Sequence, residues 1–334
     1  MTPHPLTGVL LGAYAMAPAE PEHARRFYAG VAELGIDGLE LPLRADVPGD
    51  EQAAWEATHL DPSWDLLVTC IPTVMGRLKD LPVYGLSSTD EAARARALDD
   101  VAQARDLALR LADKHGRRRV VGIQVHSAPG PHAGSREALT RSLAEIASWD
   151  LAGAELLVEH CDARVPGQAA AKGFWSLEDE IAAVRAVVDA DAPIGLSLNW
   201  GRSAIEGRSA QTPVEHARAA REAGLLRAVV LSGASDVDTA WGPAWGDAHI
   251  APRGDHDALA ASAASLLGVE QAAATLVAGQ PEIVAVKVSV RPADADVETR
   301  LAVARAALEH VAEARARVAR DLGAAITPAA GASM

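Results

Sequence analysis

Apolar runs bounded by turn residues recur along the chain, and each is followed by a longer segment with helical periodicity. Runs such as AELLVEH and RAVVLS are continuously apolar, which is typical of strands in a parallel sheet covered by helices. The pattern predicts eight strands, over residues 8–15, 38–43, 65–71, 120–126, 154–160, 194–199, 227–232 and 283–290.

Helix-start signals support this reading of the intervening segments. The clearest is TPVE at residues 212–215, with an N-cap threonine, a proline at the first helical position and a glutamate that completes a capping box. Ser88 with Glu91 and Ser176 with Asp179 have the same spacing. The chain therefore alternates strands with helices throughout.

Eight strand–helix units in 334 residues predict an α/β fold, a single (β/α)8 TIM barrel with eight parallel strands. No G-x-G-x-x-G follows a strand and no Walker-type Gly-Lys-Ser/Thr occurs, so a nucleotide-binding sheet is not supported. We assign residues 1–323 to the barrel and 324–334 to a flexible C-terminal tail. Residues 72–90 are long for a connection and predict a pocket wall or lid.

Charge and composition narrow the class of partner. There are 31 Lys and Arg against 45 Asp and Glu, a net charge of −14, which argues against nucleic acid or an anionic membrane surface as the main partner. Residues 8–17 (GVLLGAYAMA) look like a signal-peptide core but lack a basic flank, and no run approaches the roughly 20 apolar residues of a membrane helix. Cys70 and Cys161 form neither a zinc spacing nor a disulfide framework. We expect a cytoplasmic protein with a small-molecule partner.

Polar residues at the ends of the predicted strands are the candidate site, because the catalytic face of a TIM barrel lies at the carboxyl ends of its strands. Any one of them also fits a structural role, bonding a loop backbone. Glu159 and Lys287 stand out, since an ionisable group within an apolar strand is costly unless it is paired or used. The candidates are Glu40, Cys70, His126, Glu159, His160, Asp162, Asn199, Ser232, Lys287, Ser289 and Arg291.

Tryptophans follow several predicted strands, although only seven Trp, three Tyr and two Phe occur. Indole rings at a pocket mouth suit stacking on a sugar ring, and they equally suit packing of loops onto the barrel rim. We assign Trp64 and Trp149 to packing. Those that follow strands are Trp55, Trp175, Trp200, Trp241 and Trp245.

Four motifs carry a resemblance over residues 8–320. They are Glu40 in LELPL, His126 in VHSAPG, Glu159 in LVEHCD, and Asp247 and His249 in SGASDVDTAWGPAWGDAHIAPRG. Through them the chain resembles the xylose isomerase-like TIM barrels, which include sugar isomerases, epimerases and endonuclease IV-type enzymes. Within that group it is most similar to a family of unknown function. The resemblance implies a carbohydrate substrate.

The resemblance also implies a divalent-metal set of a Glu, an Asp, a His and a Glu on the fifth to eighth strands. Only Glu159 matches it; Asn199, Ser232 and Lys287 stand at the other positions, and Arg202 stands where the group often has a histidine. These changes remove anionic ligands and add cations. We therefore expect no metal at the usual site and no other cofactor.

Three interpretations of this departure remain open. Lys287 could replace the divalent ion, with Glu159 as its counter-ion, and polarise a substrate carbonyl. A divalent metal could instead be held at a shifted site by His126, Glu159, Asp247 and His249. Glu159 and Lys287 could also be a buried structural pair.

We expect an enzyme that acts on a sugar, sugar acid or polyol by proton abstraction next to a carbonyl: an isomerase, epimerase or lyase. Glu159 is the base or positions it, His126 or His249 is the acid, and Lys287 with Arg202 stabilises an enediolate oxyanion. The remaining substrate-binding candidates are Glu40, His160, Asn199, Trp200, Trp241, Trp245, Asp247 and Arg291.

Two alternatives belong to other classes of function. One is a non-catalytic sugar-binding or partner subunit that keeps the pocket. The other is an aldolase in which Lys287 forms a Schiff base, since a desolvated lysine can be partly neutral. A homo-oligomer is compatible with either.

Overall fold

The computed structural model describes residues 8–188 and 194–326, and it confirms the TIM barrel. Eight parallel strands close in chain order, with the last strand hydrogen-bonded to the first. The strands are β1 (Val9–Leu11), β2 (Gly38–Pro42), β3 (Asp65–Thr69), β4 (Val120–Val125), β5 (Glu155–His160), β6 (Ile194–Asn199), β7 (Leu226–Leu231) and β8 (Ile283–Val286).

Helices surround the barrel, and short 3-10 turns follow β1 (Ala13–Ala15) and precede α9 (Asp257–Ser262). Among the described residues, no helix has the length and apolarity that a membrane crossing requires. The predicted tail, 324–334, overlaps the end of the last helix and otherwise lies outside the described residues. The helices are α1 (Pro21–Ala32), α2 (Gly49–His59), α3 (Ile71–Asp80), α4 (Glu91–His115), α5 (Arg136–Ala147), α6 (Leu177–Arg185), α7 (Trp200–Gly207), α8 (Thr212–Glu222), α9 (Val269–Gly279) and α10 (Val297–Ile326).

Strand alternation separates the barrel interior from the helical layer. A small apolar cluster that includes Leu10, Leu157 and Ala285 is distinct from the large core shared with the helices. Side chains alternate along a strand, so the residues two positions beyond Leu157 and Ala285, namely Glu159 and Lys287, share the interior with this cluster. The interior therefore becomes polar toward the carboxyl ends of the strands.

Of the three helix starts predicted from capping boxes, one is confirmed and two differ by one or two residues. Ser176 caps α6 as predicted, its hydroxyl accepting from the Asp179 N–H at 3.2 Å. Asp90, rather than Ser88, caps α4. Helix α8 begins at Thr212 itself, one residue earlier than predicted.

Residues 72–90 lie at the carboxyl end of β4. They comprise most of α3 and the loop that leads into α4. The Ser87 hydroxyl donates to the backbone carbonyls of Ser127 and Ala128, at 2.9 Å each. The Tyr84 hydroxyl donates to Asp100 Oδ2 at 2.8 Å and fixes the loop to α4. The segment is thus a packed wall beside the end of β4.

Candidate active site

Two buried ion pairs occupy the carboxyl end of the barrel. Lys287 Nζ donates to Glu40 Oε1 at 3.1 Å, and Arg202 Nη1 lies 2.8 Å from Glu159 Oε1. None of the four residues is more than 1% exposed. Together with His126 they are called the central site below. The predicted pairing of Lys287 with Glu159 is wrong, because Lys287 lies two strands from Glu40 around the closed barrel and three from Glu159.

Both carboxylate oxygens of Glu159 have donors. His126 Nε2 lies 2.7 Å from Oε2, and Asn199 Nδ2 approaches Oε1 at 3.5 Å beside Arg202. The Asn199 side chain also caps α7 by accepting from the Arg202 N–H at 3.3 Å, which places Arg202 in the first turn of that helix. The end of β6 therefore positions the guanidinium over Glu159.

The charge states of Glu159 and His126 follow from this geometry. Burial opposes ionisation of Glu159, but Arg202, the His126 hydrogen bond and Lys287 outweigh it and hold its pKa below the usual range. Burial lowers the pKa of His126, and the hydrogen bond to Glu159 only partly offsets this. A neutral His126 thus donates Nε2–H to an ionised Glu159. Its Nδ1 is buried and has no hydrogen-bond partner in the described part of the chain.

Burial acts on the second ion pair as well. Burial raises the pKa of Glu40, although the Lys287 ammonium opposes the shift. Burial also acts to lower the pKa of Lys287, but Glu40 and Tyr14 outweigh this effect, so the pKa of Lys287 is raised. Lys287 therefore remains an ammonium, 5.0 Å from the centroid of the Tyr14 ring. Glu40 Oε2 is buried without a partner among residues 8–188 and 194–326. Tyr14 was not predicted as a site residue, because the sequence of residues 13–15 continues the apolar run of the first strand.

Replacing Gly12 with alanine is expected to disturb this pair. A Cβ at Gly12 would lie 2.8 Å from Glu40 Oε2 and 2.9 Å from Lys287 Cγ, both on buried side chains. We expect the free energy of unfolding to fall by about 1–3 kcal/mol, measured by urea denaturation. Gly76→Ala is the matched control, since its Cβ meets nothing within 4 Å in α3 and should be neutral or stabilising. Equal stability of both variants would contradict the tight contact.

A partly exposed layer covers the Arg202 side of the central site. Arg202 Nε donates to Asp247 Oδ2 at 3.1 Å, and Lys172 Nζ lies 2.9 Å from the same oxygen. His249 Nδ1 is 2.9 Å from Ser232 Oγ, and burial lowers its pKa to about 3 although Asp247 opposes the shift. The His249 and Lys172 side chains are 18% and 13% exposed, so this layer faces solvent. Lys172 follows β5 in a loop without a recognisable motif and was not predicted.

The shifted metal site predicted from His126, Glu159, Asp247 and His249 does not assemble. The Arg202 guanidinium bonds Glu159 through Nη1 and Asp247 through Nε, so it stands between the two carboxylates. His126, Glu159 and Cys161 do place ligand atoms within 4.8 Å of one another. The Arg202 guanidinium, however, also donates to Cys161 Sγ at 3.3 Å, so a cation already occupies this group.

The resemblance implies a divalent metal at Glu159 and the ends of the next three strands. There, Arg202 and His126 already bond the two Glu159 oxygens, and Lys287 adds a second cation. A dication there would face two fixed positive charges. The central residues therefore do not fit the divalent ion of the group.

His160 and Trp200 point away from the central site, contrary to the prediction. Each directly follows an inward residue, Glu159 or Asn199, so alternation turns it toward the helices. His160 bonds Glu180 and Glu206. The Trp200 indole N–H donates to Thr275 Oγ1 of α9 at 3.1 Å. Both side chains pack the helical layer.

Trp241 and Trp245, the other aromatics predicted to bind substrate, lie in the long loop after β7. Trp241 is buried and donates its indole N–H to Ser289 Oγ at 2.8 Å, with the Arg291 guanidinium 5.7 Å from its ring. Trp245 is half-buried, and the Arg208 guanidinium lies 5.2 Å from its ring. These contacts hold the long loop after β7 against the barrel.

Comparison with known proteins agrees with this architecture. The family model described as "Domain of unknown function (DUF4862)" matches residues 10–303. The chain belongs to this family. An uncharacterized protein of Salmonella typhimurium, STM3670, is 34% identical over 256 residues, which cover 73% of this chain and 78% of that protein.

Two solved structures share the fold at low identity. An L-ribulose 3-epimerase aligns with a TM-score of 0.60 at 16% identity, covering 97% of this chain and 99% of its own. The IolI protein, solved with a zinc atom, aligns with a TM-score of 0.54 at 13% identity, covering 94% and 98%. The (β/α)8 barrel fold predicted from the sequence is thereby confirmed.

Proposed function

We propose that the protein is a carbohydrate isomerase or epimerase that moves a proton at a carbon next to a carbonyl. The observation that carries this proposal is the central site, where an ionised Glu159 supports a neutral His126 with an unpartnered Nδ1. Two cations, Lys287 and Arg202, lie in the same buried space. The likeness to L-ribulose 3-epimerase supports the substrate class.

His126 is the proposed base. Its Nδ1 lone pair takes the proton from the substrate carbon, and the Nε2–H bond to Glu159 stabilises the resulting imidazolium. Returning this proton to the neighbouring carbon, while the hydroxyl proton moves to the carbonyl oxygen, gives an isomer. An epimer forms when a second acid delivers a proton to the opposite face of the same carbon while His126 keeps the first proton. Of the two roles predicted for Glu159, positioning the base is favoured, because a carboxylate whose pKa is lowered is a poor proton acceptor.

Lys287 and Arg202 are the proposed stabilisers of the enediolate oxygen that forms when the proton leaves. Fixed cations in a water-poor site act strongly on such a charge. Because the pKa of Lys287 is raised, it stays protonated, which does not favour Schiff-base chemistry. Glu40 is the proposed acceptor of a substrate hydroxyl, since its Oε2 has no hydrogen-bond partner in the described part of the chain.

We infer that these cations take over the charge stabilisation that a divalent ion supplies in metal-dependent relatives. The support is the donor set, since both Glu159 oxygens already accept from protein groups. Substrate turnover should therefore persist after the protein is treated with a chelator and exchanged into metal-free buffer.

The test is solvent deuterium exchange, followed by NMR, for a panel of aldoses, ketoses and sugar acids in D2O. Wild type should exchange the proton next to the carbonyl of at least one sugar. His126→Gln, whose amide can still donate to Glu159, should slow this exchange by about 10²–10⁴-fold. His59→Gln, remote on α2, is the control and should match wild type.

Two results would overturn the proposal. Sugar binding without exchange would indicate a non-catalytic binding subunit. Exchange that His126→Gln leaves unchanged would remove the proposed base. Exchange that is lost on chelation and restored by a divalent ion would overturn the metal-free mechanism specifically.

A further inference from the structure

A second buried cluster lies behind the central site, between β5 and the helices. His160, Glu180, Glu206 and His216, here called the outer cluster, come from β5, α6, α7 and α8. His160 Nδ1 is 2.7 Å from Glu180 Oε2, and its Nε2 is 3.0 Å from Glu206 Oε2. The other Glu206 oxygen is 3.7 Å from His216 Nε2. The proposed reaction uses none of these groups.

Three of these residues present a zinc-type donor set. One ligand atom from each of His160, Glu206 and His216 lies within 4.8 Å of the others. Two imidazoles and one carboxylate, with a fourth position left open, are a common zinc ligand set. Tetrahedral bonds to zinc place neighbouring ligand atoms about 3.3 Å apart. His160 Nε2 lies 3.0 Å from Glu206 Oε2 and His216 Nε2 lies 3.7 Å from Glu206 Oε1, so each imidazole is near that spacing from one oxygen of the carboxylate.

In both histidines the other ring nitrogen, Nδ1, also has a hydrogen-bond partner, as it usually does in histidines that bind metals. Glu180 accepts from His160 Nδ1, and Ser203 Oγ lies 3.1 Å from His216 Nδ1. Such contacts fix the tautomer that leaves Nε2 free for a metal. Both Nε2 atoms are the ones that face Glu206.

The negative charge of the outer cluster and its access to solvent both suit a divalent cation. In the described part of the chain, the ion pairs of Glu180 and Glu206 are with histidines, so neither carboxylate has a lysine or arginine partner. One dication with two neutral histidines would bring this group to neutrality. The Glu206 and His216 side chains are each 15% exposed, which gives an entry path from solvent.

We propose that His160, Glu206 and His216 bind a divalent transition metal of the zinc type, outside the barrel and separate from the central site. Glu180 orients His160 from the opposite side. Arg202 and Glu206 lie one turn apart on α7, so one helix carries a residue of each site. This inference does not depend on the proposed isomerase activity.

Titration of the chelator-treated full chain with Zn²⁺ by calorimetry, and with Co²⁺ by visible absorption, tests the site. Wild type should bind one ion and give the intense d–d bands of tetrahedral Co²⁺ without thiolate charge transfer. His216→Ala should weaken Zn²⁺ binding at least about 10–100-fold. This variant places alanine in a helix at a partly exposed position and should fold. His59→Ala, also part-buried on a helix, is the matched control and should bind as wild type does.

The variant Cys161→Ser tests whether the ion binds at the outer cluster or at the central group of His126, Glu159 and Cys161. The outer site predicts an unchanged Co²⁺ spectrum in this variant, because only the central group contains sulfur. The inference is overturned if wild type binds no ion, if His216→Ala binds as tightly as wild type, or if Cys161→Ser abolishes the spectrum. No binding would leave His160 as an imidazolium held between two carboxylates.

Discussion

Replacing Arg202 with methionine is expected to lower the free energy of unfolding by about 3–5 kcal/mol. The guanidinium is 1% exposed and lies 2.8 Å from Glu159 and 3.1 Å from Asp247. Methionine fills much of the volume but leaves Glu159 with His126 and the 3.5 Å contact to Asn199, and it leaves Asp247 with Lys172 as its main cation. Urea denaturation at neutral pH measures the loss.

The pH dependence of this loss identifies its cause. Arg202 helps to lower the pKa values of Glu159 and Asp247 in the folded state, so their stabilisation is present above the unfolded carboxyl pKa of about 4. It is lost as the pH falls through the lowered folded values. The difference between variant and wild type should therefore shrink below about pH 4.

Arg25→Met serves as the control for Arg202→Met. Arg25 bonds Glu22 at 2.6 Å on the surface of α1, where solvent screens the pair, so the urea midpoint should not change. A loss for Arg202→Met that is no greater than that of Arg25→Met would contradict the interpretation of Arg202 as the shared counter-ion.

The barrel could be predicted because each strand is an apolar run with turn residues on both sides. The error in β1 has a local cause: residues 12–17 continue the apolar run without a turn signal, and the chain forms a 3-10 turn there instead. The C-terminal tail was predicted from composition, but alanine-rich sequence also favours helix, and α10 continues to Ile326.

The site was predictable only where it lies on strands. Glu40, His126, Glu159, Asn199 and Lys287 meet because the carboxyl ends of all strands lie at one end of the barrel. Because side chains alternate along a strand, one of the consecutive residues Glu159 and His160 must point outside the barrel.

Site residues that do not lie on strands could not be predicted from the strand pattern. Tyr14 lies in the 3-10 turn after β1 and Lys172 in a loop. The residues of the outer cluster on helices are Glu180, Glu206 and His216. Their contacts depend on how each helix packs, which periodicity does not specify. The choice of Glu40 over Glu159 as the partner of Lys287 likewise follows from closure of the barrel.

Replacing Lys287 with methionine is expected to lower kcat/KM for the proposed exchange by about 10²–10³-fold, the typical effect of removing one oxyanion donor. The single variant also leaves Glu40 buried without its cation, so lost stability must be separated from lost chemistry.

The double variant Glu40→Gln/Lys287→Met makes this separation, because a neutral amide needs no counter-ion. It should recover much of the stability that Lys287→Met loses, measured by urea denaturation, while its exchange rate stays as low as that of Lys287→Met or lower. Recovery of exchange together with stability would show that Lys287 serves only to neutralise Glu40. The ammonium would then be a structural partner, and Arg202 would remain as the cation facing the enediolate.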